Sequence, residues 1–398
     1  MPYSVYLKKN EEREILAGRP RVYANEVVKI VPSAGPPAKN GDIASVYTSD
    51  GRFLGRGYIN HGSKILVRIM IRGQENENTV PDRDFYIERI RRALEYRRRA
   101  GCGDSFRAVF AEADGLPGLI ADKYGDLLSV QLLTLGAERD RELIADALCE
   151  VFAPRGIYER SDTEARAKEG LPLRSGPLRG DFDPRTVITE NGLKIPVDLA
   201  EGQKTGGFLD QRENRLAVRR YSAGAEVLDC FCNSGGFSLN AAAGGAKAVT
   251  AADISERALE TVREAASMNG FGDVITTRRC DVFALLRELR DAGKSFDMLI
   301  LDPPAFCKSV SEIPGALRGY ADINLLGMKL VKSGGFLVSA SCTHFITREM
   351  FERMLRGTAA ASGRTVRIAE SRGQPPDHPA LFGADESSYL KFYVLNII

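Results

Sequence analysis

From about residue 202 onward the chain alternates apolar runs with amphipathic stretches, and this alternation limits the fold more than any other feature. The runs EVLDCF, AVTAADI, VITTRRCD, FDMLILD, GGFLVSAS, TVRIAES and YLKFYVLN are largely apolar, of strand length. Between them lie FSLNAAAGG, ERALETVREAASMNG, FALLRELRDAG, DINLLGMKLVKSG and REMFERMLRGTAAASG, which read as helices. Apolar strands with helical crossovers predict an α/β, doubly wound, Rossmann-like sheet covered on both faces.

The first half has a different grammar. Its 200 or so residues within a 398-residue chain leave room for one or two further domains. Up to about residue 73, EVVKIV, DIASVYTSDGRFLGRGYIN and ILVRIMI are β-rich, with a hairpin turn at SDGRF, and they predict a small β-barrel. QENENTVPDRD is a polar boundary leading into a helix, DFYIERIRRALEYRRRAG. There Phe85, Ile90 and Leu94 fall on one side, Arg89, Arg92, Arg97 and Arg99 fall elsewhere, and Gly101 is the stop. Residues 105–200 mix short strands with one helix, a small α+β pattern. The expected domains are therefore 1–74, 75–190 and 191–398.

Composition narrows the class. At 43% hydrophobic and 27% charged residues the chain reads as an ordinary soluble protein. It has no apolar run of membrane-spanning length, and MPYSVYLKKNEEREIL lacks a signal-peptide pattern, so a cytoplasmic location without a membrane partner is expected. Seven scattered cysteines argue for reduced thiols, and the three histidines make no zinc spacing, so no metal is expected. The net charge of +2 conceals an asymmetry. Residues 1–110 carry 20 Lys and Arg against 13 Asp and Glu, which points to an anionic macromolecular partner.

The first strand–turn–helix of the alternating half, VLDCFCNSGGFSLNAAAGG, places Asp229 at a strand end and Gly235 and Gly236 at a helix start. Asp253 ends the next strand, 24 residues on. Glycines admit close approach of a ligand to the backbone, and a carboxylate at that spacing can accept both hydroxyls of a ribose. The turn is not G-x-G-x-x-G, so a dinucleotide site is the weaker reading. Two later stretches add to the pattern: DVF (Asp281 to Phe283) and LDPPAF (Leu301 to Phe306). Two prolines after an acid stiffen a strand-end loop, and an aromatic there suits a flat substrate.

DCFCNSGGF resembles motif I of class I S-adenosylmethionine-dependent methyltransferases, and DPPAF resembles their motif IV. Further stretches widen the likeness: AGRPRVYANEV, AEADGLPGLIADKYGDLLSVQLLTLGAE, IYERSDTEARAKEGL, KTGGFLDQRENRLAVRRY, RGYADINLLGMKLVKSGG, SASCTHF and DHPALFGADESSYLK. Together they identify the chain as similar to the bacterial PUA-domain-containing 23S rRNA (cytosine-5)-methyltransferases over nearly its whole length. Arg21 departs from the pattern, standing where an aromatic is common. The resemblance implies an N-terminal PUA barrel for RNA binding, a central α+β domain and a C-terminal methyltransferase domain.

It also implies S-adenosyl-L-methionine as cofactor and 23S ribosomal RNA as partner, naked or in an early assembly intermediate, with a homodimer left open. The implied cofactor set is Lys204, Thr205, Phe208, Asp210, Arg212, Asp229, Phe231, Asn233, Gly235, Gly236, Phe237, Asp253, Ile254, Ser255, Asp281, Val282, Asp302 and Pro303. Pro304 and Phe306 would meet the substrate base.

Carbon 5 of cytosine is too weak a nucleophile to take a methyl group from a sulfonium unaided. A thiolate adding to carbon 6 creates an enamine that can. The family's motif VI nucleophile corresponds to Cys342 in SCT, and Asp302 would hydrogen-bond the ring edge. Cys307 is either an incidental small residue or a base for release. His344 is a loop residue or a proton acceptor. The alternative within the class is an exocyclic-amine (guanine-N2) methyltransferase, which needs the motif IV loop but no thiol.

Overall fold

The computed structural model describes residues 3–32 and 39–398. It divides into two compact units. The first holds the chain to Ile188 with Val197–Leu209 and Pro376–Asp385, and the second holds Thr189–Pro196, Asp210–Pro375 and Glu386–Ile398.

In the first unit, strands β1 (Tyr3–Leu7), β2 (Arg21–Tyr23), β3 (Val27–Pro32), β4 (Ile43–Tyr47), β5 (Phe53–Ile59) and β6 (Ile65–Ile71) form a six-stranded sheet in the order β2-β6-β5-β4-β1-β3. A short helix, α1 (Glu12–Leu16), follows β1. The long helix α2 (Arg83–Arg99) starts at Asp82, whose carboxylate accepts the Phe85 amide. A second sheet orders as β11-β10-β9-β8-β7, from β7 (Phe106–Phe110), β8 (Leu119–Tyr124), β9 (Leu127–Leu132), β10 (Gly156–Ser161) and β11 (Arg174–Arg179). Its helices are α3 (Leu135–Arg139), α4 (Arg141–Phe152) and α5 (Glu164–Lys168).

The two sheets share one core. Tyr58, Met70 and Ile71 of the first sheet pack with Ile87 and Ile90 of α2 and with Val109, Leu128 and Leu148. A buried polar relay crosses the same core: the Tyr58 and Tyr86 hydroxyls lie 2.5 Å apart, Tyr86 donates to Asp140 at 2.5 Å, and Arg139 holds that carboxylate at 2.8 and 2.9 Å. Burial pushes both phenol pKa values up, which keeps them as neutral donors.

The buried stripe of α2 is Tyr86, Ile87, Ile90, Ala93, Leu94 and Arg97. Arg97, which the sequence pattern puts off the apolar side, is therefore fully buried. It forks onto Asp114 at 2.5 and 2.7 Å and donates to the Arg107 carbonyl at 2.9 Å. Arg56 is buried as well, and Arg68 and Arg107 are spent on Glu112, Glu169 and Asp122. Part of the basic excess before residue 110 is thus internal wiring. Lys8, Lys9, Arg52 and Lys64 are among the cations left exposed.

Strands β12 (Arg185–Glu190) and β13 (Leu193–Asp198) form a two-stranded sheet, and α6 (Arg212–Val218) follows. The second unit is built on seven strands: β14 (Glu226–Cys230), β15 (Ala248–Asp253), β16 (Ile275–Arg279), β17 (Phe296–Leu301), β18 (Val331–Ser341), β19 (Val366–Arg372) and β20 (Lys391–Ile397). Their order is β16-β15-β14-β17-β18-β20-β19, with the first five parallel and β20 antiparallel between β18 and β19. Helices α7 (Gly236–Ala243), α8 (Glu256–Met268), α9 (Val282–Asp291), α10 (Ile313–Leu330) and α11 (Arg348–Ser362) connect them. Every strand and helix read from the alternating half is present, in the expected Rossmann-like α/β class.

The crossovers run outward from β14 through β15 to β16, and from β17 through β18 on the other side. The carboxyl ends of β14 and β17 therefore flank a topological switch point, where a doubly wound sheet opens a crevice. Leu228, Leu299, Leu301, Leu337 and Tyr393 anchor these strands in one core with Leu285, Ile323 and Phe351. Rigid strands thus fix the positions of the loops at their ends. Among the described residues no helix is long and apolar enough to cross a membrane.

Candidate active site

The turn after β14 is set by backbone conformation. Phe231 and Asn233 have positive φ (61° and 49°), and Gly235 is left-handed at 79°. A Cβ on Gly235 would lie 2.9 Å from Val262, and one on Gly236 would lie 2.4 Å from the Arg215 side chain. Both glycines are therefore required, one by conformation and crowding, the other by a side chain packed against the helix start. Arg215 is itself held by a buried two-pronged pair with Glu190, at 2.7 and 2.6 Å.

Asp253 closes the turn from the neighbouring strand. One of its oxygens accepts the Asn233 amide at 3.0 Å and the other the Ser255 amide at 2.9 Å. A carboxylate has about four acceptor sites, so capacity for hydroxyl donors remains. Ile254 follows with its side chain 68% exposed, an apolar face presented to solvent. Ser255 and Asp281 cap α8 and α9, accepting the amides of Ala258 and Ala284.

Asp229 is fully buried. One oxygen accepts the Ser238 hydroxyl at 2.6 Å, and Oδ1 has no protein donor among the described residues. Burial pushes its pKa up to about 7, against the Ser238 bond, and the charges of Asp302 and Asp253 add to the rise. Carboxylates at the carboxyl ends of β14, β15 and β17 thus lie close enough for two to act on Asp229, an environment suited to a ligand that carries positive charge.

The other two predicted loops meet beside them. Leu301 stands in register with Ser339, so Asp302 and Cys342 leave the carboxyl ends of adjacent parallel strands. Asp302 accepts the side-chain amide of Gln211 at 2.9 Å. Thr343 donates to the Cys307 carbonyl at 2.9 Å, tying the SCT segment to the DPPAFC loop. Burial raises the phenol pKa of Tyr320 on α10, and the neighbouring Cys342 and Asp302 side chains add to the rise. Phe306 leans on it with ring centroids 4.6 Å apart, within a row that runs Phe231, Phe283, Phe306, Tyr320, Phe351 and Tyr393. Pro303 is buried and Pro304 exposed.

Other expected site residues have protein partners of their own. Phe237 is buried and lies parallel to Phe392, and Val282 points into the core, so both side chains are packing groups. Lys204, Thr205 and Phe208 belong to the first unit. There the Thr205 hydroxyl is spent on Asp122 at 2.5 Å and on Tyr124 at 3.1 Å, and the Lys204 ammonium lies over the Phe208 ring. Cys307 is buried, with its thiol on the Ser309 carbonyl. His344 is exposed and packs on Phe345. Asp210 accepts the Tyr389 hydroxyl at 2.7 Å, and Arg212 opens α6.

Sequence reasoning missed the polar side chains behind these loops. Gln211 is held by Asn214 at 2.7 Å, and Asn214 by Arg372 at 3.2 Å. Lys391 was missed too. The only signal was that uncharged amides in the already quoted DQREN stretch are buried, which sequence alone does not display.

Residues 176–392 match the model of the S-adenosylmethionine-dependent methyltransferase family, and residues 5–72 match that of the PUA-like domain. Ribosomal RNA large subunit methyltransferase I of Aeromonas salmonicida is 41% identical over 99% of both chains. Its namesake from Shewanella amazonensis is 40% identical over 100% of both. The chain belongs to this family. A methyltransferase solved with S-adenosylhomocysteine has the same fold, with a TM-score of 0.83 at 20% identity over 99% of this chain and 100% of its own. As a family member the protein is an S-adenosylmethionine-dependent methyltransferase with a PUA-like domain. The chemistry of its acidic crevice, where Asp229 Oδ1 has no partner among the described residues and an apolar Ile254 follows Asp253, is compatible with a cationic cofactor bearing a ribose and a flat base.

Proposed function

We propose that the protein methylates carbon 5 of a cytosine in 23S ribosomal RNA, with Cys342 as nucleophile. The relatives' names support ribosomal RNA of the large subunit as substrate. The observation that carries the carbon-5 reading is Cys342 itself, a half-buried thiol on the strand end next to Asp302. An enzyme that methylates an exocyclic amine has no need of that thiol.

Bound S-adenosylmethionine supplies an electrophilic methyl group. Asp253 receives its ribose hydroxyls, Ile254, Ser255 and Asp281 border its adenine, and Asp229, Asn233, Gly235, Gly236, Asp210 and Arg212 serve its methionine end. The Cys342 thiolate forms a bond to carbon 6 of the cytosine, and the pair from the 5,6 double bond moves into the ring. Asp302, oriented by Gln211 and entering the step as the protonated acid, donates its proton to the ring nitrogen as the electron pair arrives there, and takes it back when the ring double bond is restored. Carbon 5 then carries the density needed to accept the methyl group. Loss of the carbon-5 proton to a base restores the double bond and expels the thiolate. The target base leaves its stack to reach Cys342, and Pro304 and Phe306 border it. Exposed cations of the first 110 residues contribute salt-sensitive phosphate contacts. The substrate places the reaction in the cytoplasm.

Wild-type protein should yield 5-methylcytosine in 23S RNA, and it should form a covalent adduct with RNA containing 5-fluorocytosine. Cys342→Ala should lose both. Methylation by Cys342→Ala at the wild-type rate, or a product methylated on an exocyclic amine, sinks this function.

A further inference from the structure

Lys391 opens β20 directly opposite Ser341, the last residue of β18, so it stands beside the residue that follows, Cys342. Its side chain is only 3% exposed. The ammonium donates to the carbonyl of Thr343 and, at 2.9 Å, to that of Tyr389. Two of its three N–H donors are thus used on backbone. Among the described residues it has no carboxylate partner, although a buried ammonium without a counter-charge is strongly disfavoured.

The groups whose charge reaches it are few. Burial lowers its pKa to about 8, a thiolate at Cys342 opposes the fall, and the Arg348 guanidinium on α11 adds to it. The attraction is mutual, so an ammonium at 391 favours the thiolate at 342. Cys342 also faces Tyr320 of α10, whose phenol burial holds neutral; Asp302, on the adjacent strand end, is the nearby carboxylate.

We propose that Lys391 is the positioning residue that readies Cys342: it pins the backbone of the SCT segment through Thr343 and serves as the counter-ion of the Cys342 thiolate. This rests on Cys342 being the nucleophile. It also accounts for a cation buried at the start of a strand whose hydrogen bonds, among the described residues, go to backbone carbonyls.

The test is the pH dependence of Cys342 alkylation by iodoacetamide, read by mass spectrometry of the Cys342 peptide in the full-length protein without RNA or cofactor. Lys391→Gln should move the midpoint upward by at least about one pH unit, slowing alkylation near pH 7 about tenfold. It should lower kcat with little change in KM, and Lys391→Arg should restore most of both. An unchanged alkylation profile in Lys391→Gln with activity lost makes the lysine merely structural and overturns the proposal. If the variants do not fold, the wild-type midpoint decides: below an ordinary thiol's value of about 8.5 supports it, and at or above that value overturns it. Because alkylation requires no turnover, these results stand apart from the Cys342→Ala assay, which tests the nucleophile itself.

Discussion

The side-chain amide of Gln211 donates to Oδ1 of Asp302 across 2.9 Å, and its own carbonyl oxygen accepts from Asn214 at 2.7 Å. A primary amide bridging a carboxylate and a second amide can point only one way, so the carboxylate's orientation is set from behind.

Replacing Gln211 with Leu removes a hydrogen bond to a charged group, worth about 1.5–3 kcal/mol. The expected outcome is a 10- to 100-fold fall in kcat, with S-adenosylmethionine binding changed much less. Steady-state kinetics alongside calorimetric binding of the cofactor separates the two effects.

The Glu190–Arg215 pair behaves differently. Both partners are buried, and Arg215 packs against Gly236. Glu190→Ala strands a buried guanidinium and should destabilise the second unit by about 3–5 kcal/mol. Replacing both residues with apolar ones of similar volume should cost far less. Urea unfolding of the two variants measures the difference.

Asp229 predicts a pH effect in the cofactor-free protein. Its folded pKa of about 7 lies above the ordinary carboxyl value of 3.8, so the folded state holds the proton more tightly. The group's stabilising contribution is complete below about pH 4 and is lost as pH rises toward and through 7. The full swing is on the order of 4 kcal/mol at 1.36 kcal/mol per unit. Thermal melts of Asp229→Asn should lack that decline while keeping the Ser238 hydrogen bond. A decline identical to wild type would assign it elsewhere.

Gly235→Ala forces an L-residue into a left-handed turn and presses its methyl on Val262. A loss of about 1–3 kcal/mol in stability is expected. Cofactor affinity should fall further than stability alone explains, which titration calorimetry below the melting range will show.

Much of the catalytic half was legible because its strands are apolar runs long enough to be buried on both faces. Asp229, Asp253, Asp302 and Cys342 sit at strand ends, where local pattern and position coincide. Charged and amide residues that fold inward were not legible. Arg97 looks like any surface arginine until Asp114 and the Arg107 carbonyl surround it. Gln211 and Asp302 are 91 residues apart, and Lys391 meets Thr343 across 48. No period along the chain encodes such meetings, since strand order creates them. Phe237 shows the opposite case: its motif position marks it for the cofactor, while its ring packs against Phe392, a contact no local pattern displays.

The row of rings from Phe231 to Tyr393 has an optical consequence. The chain contains no tryptophan, so its near-ultraviolet emission comes from tyrosine, and the Tyr320 ring packs on that of Phe306, which under the proposed function borders the target base. A single tryptophan introduced at position 306 would be the sole indole in the molecule. Its emission colour and lifetime would then register a nucleobase arriving beside Cys342, turning the enzyme into its own spectroscopic sensor of RNA engagement.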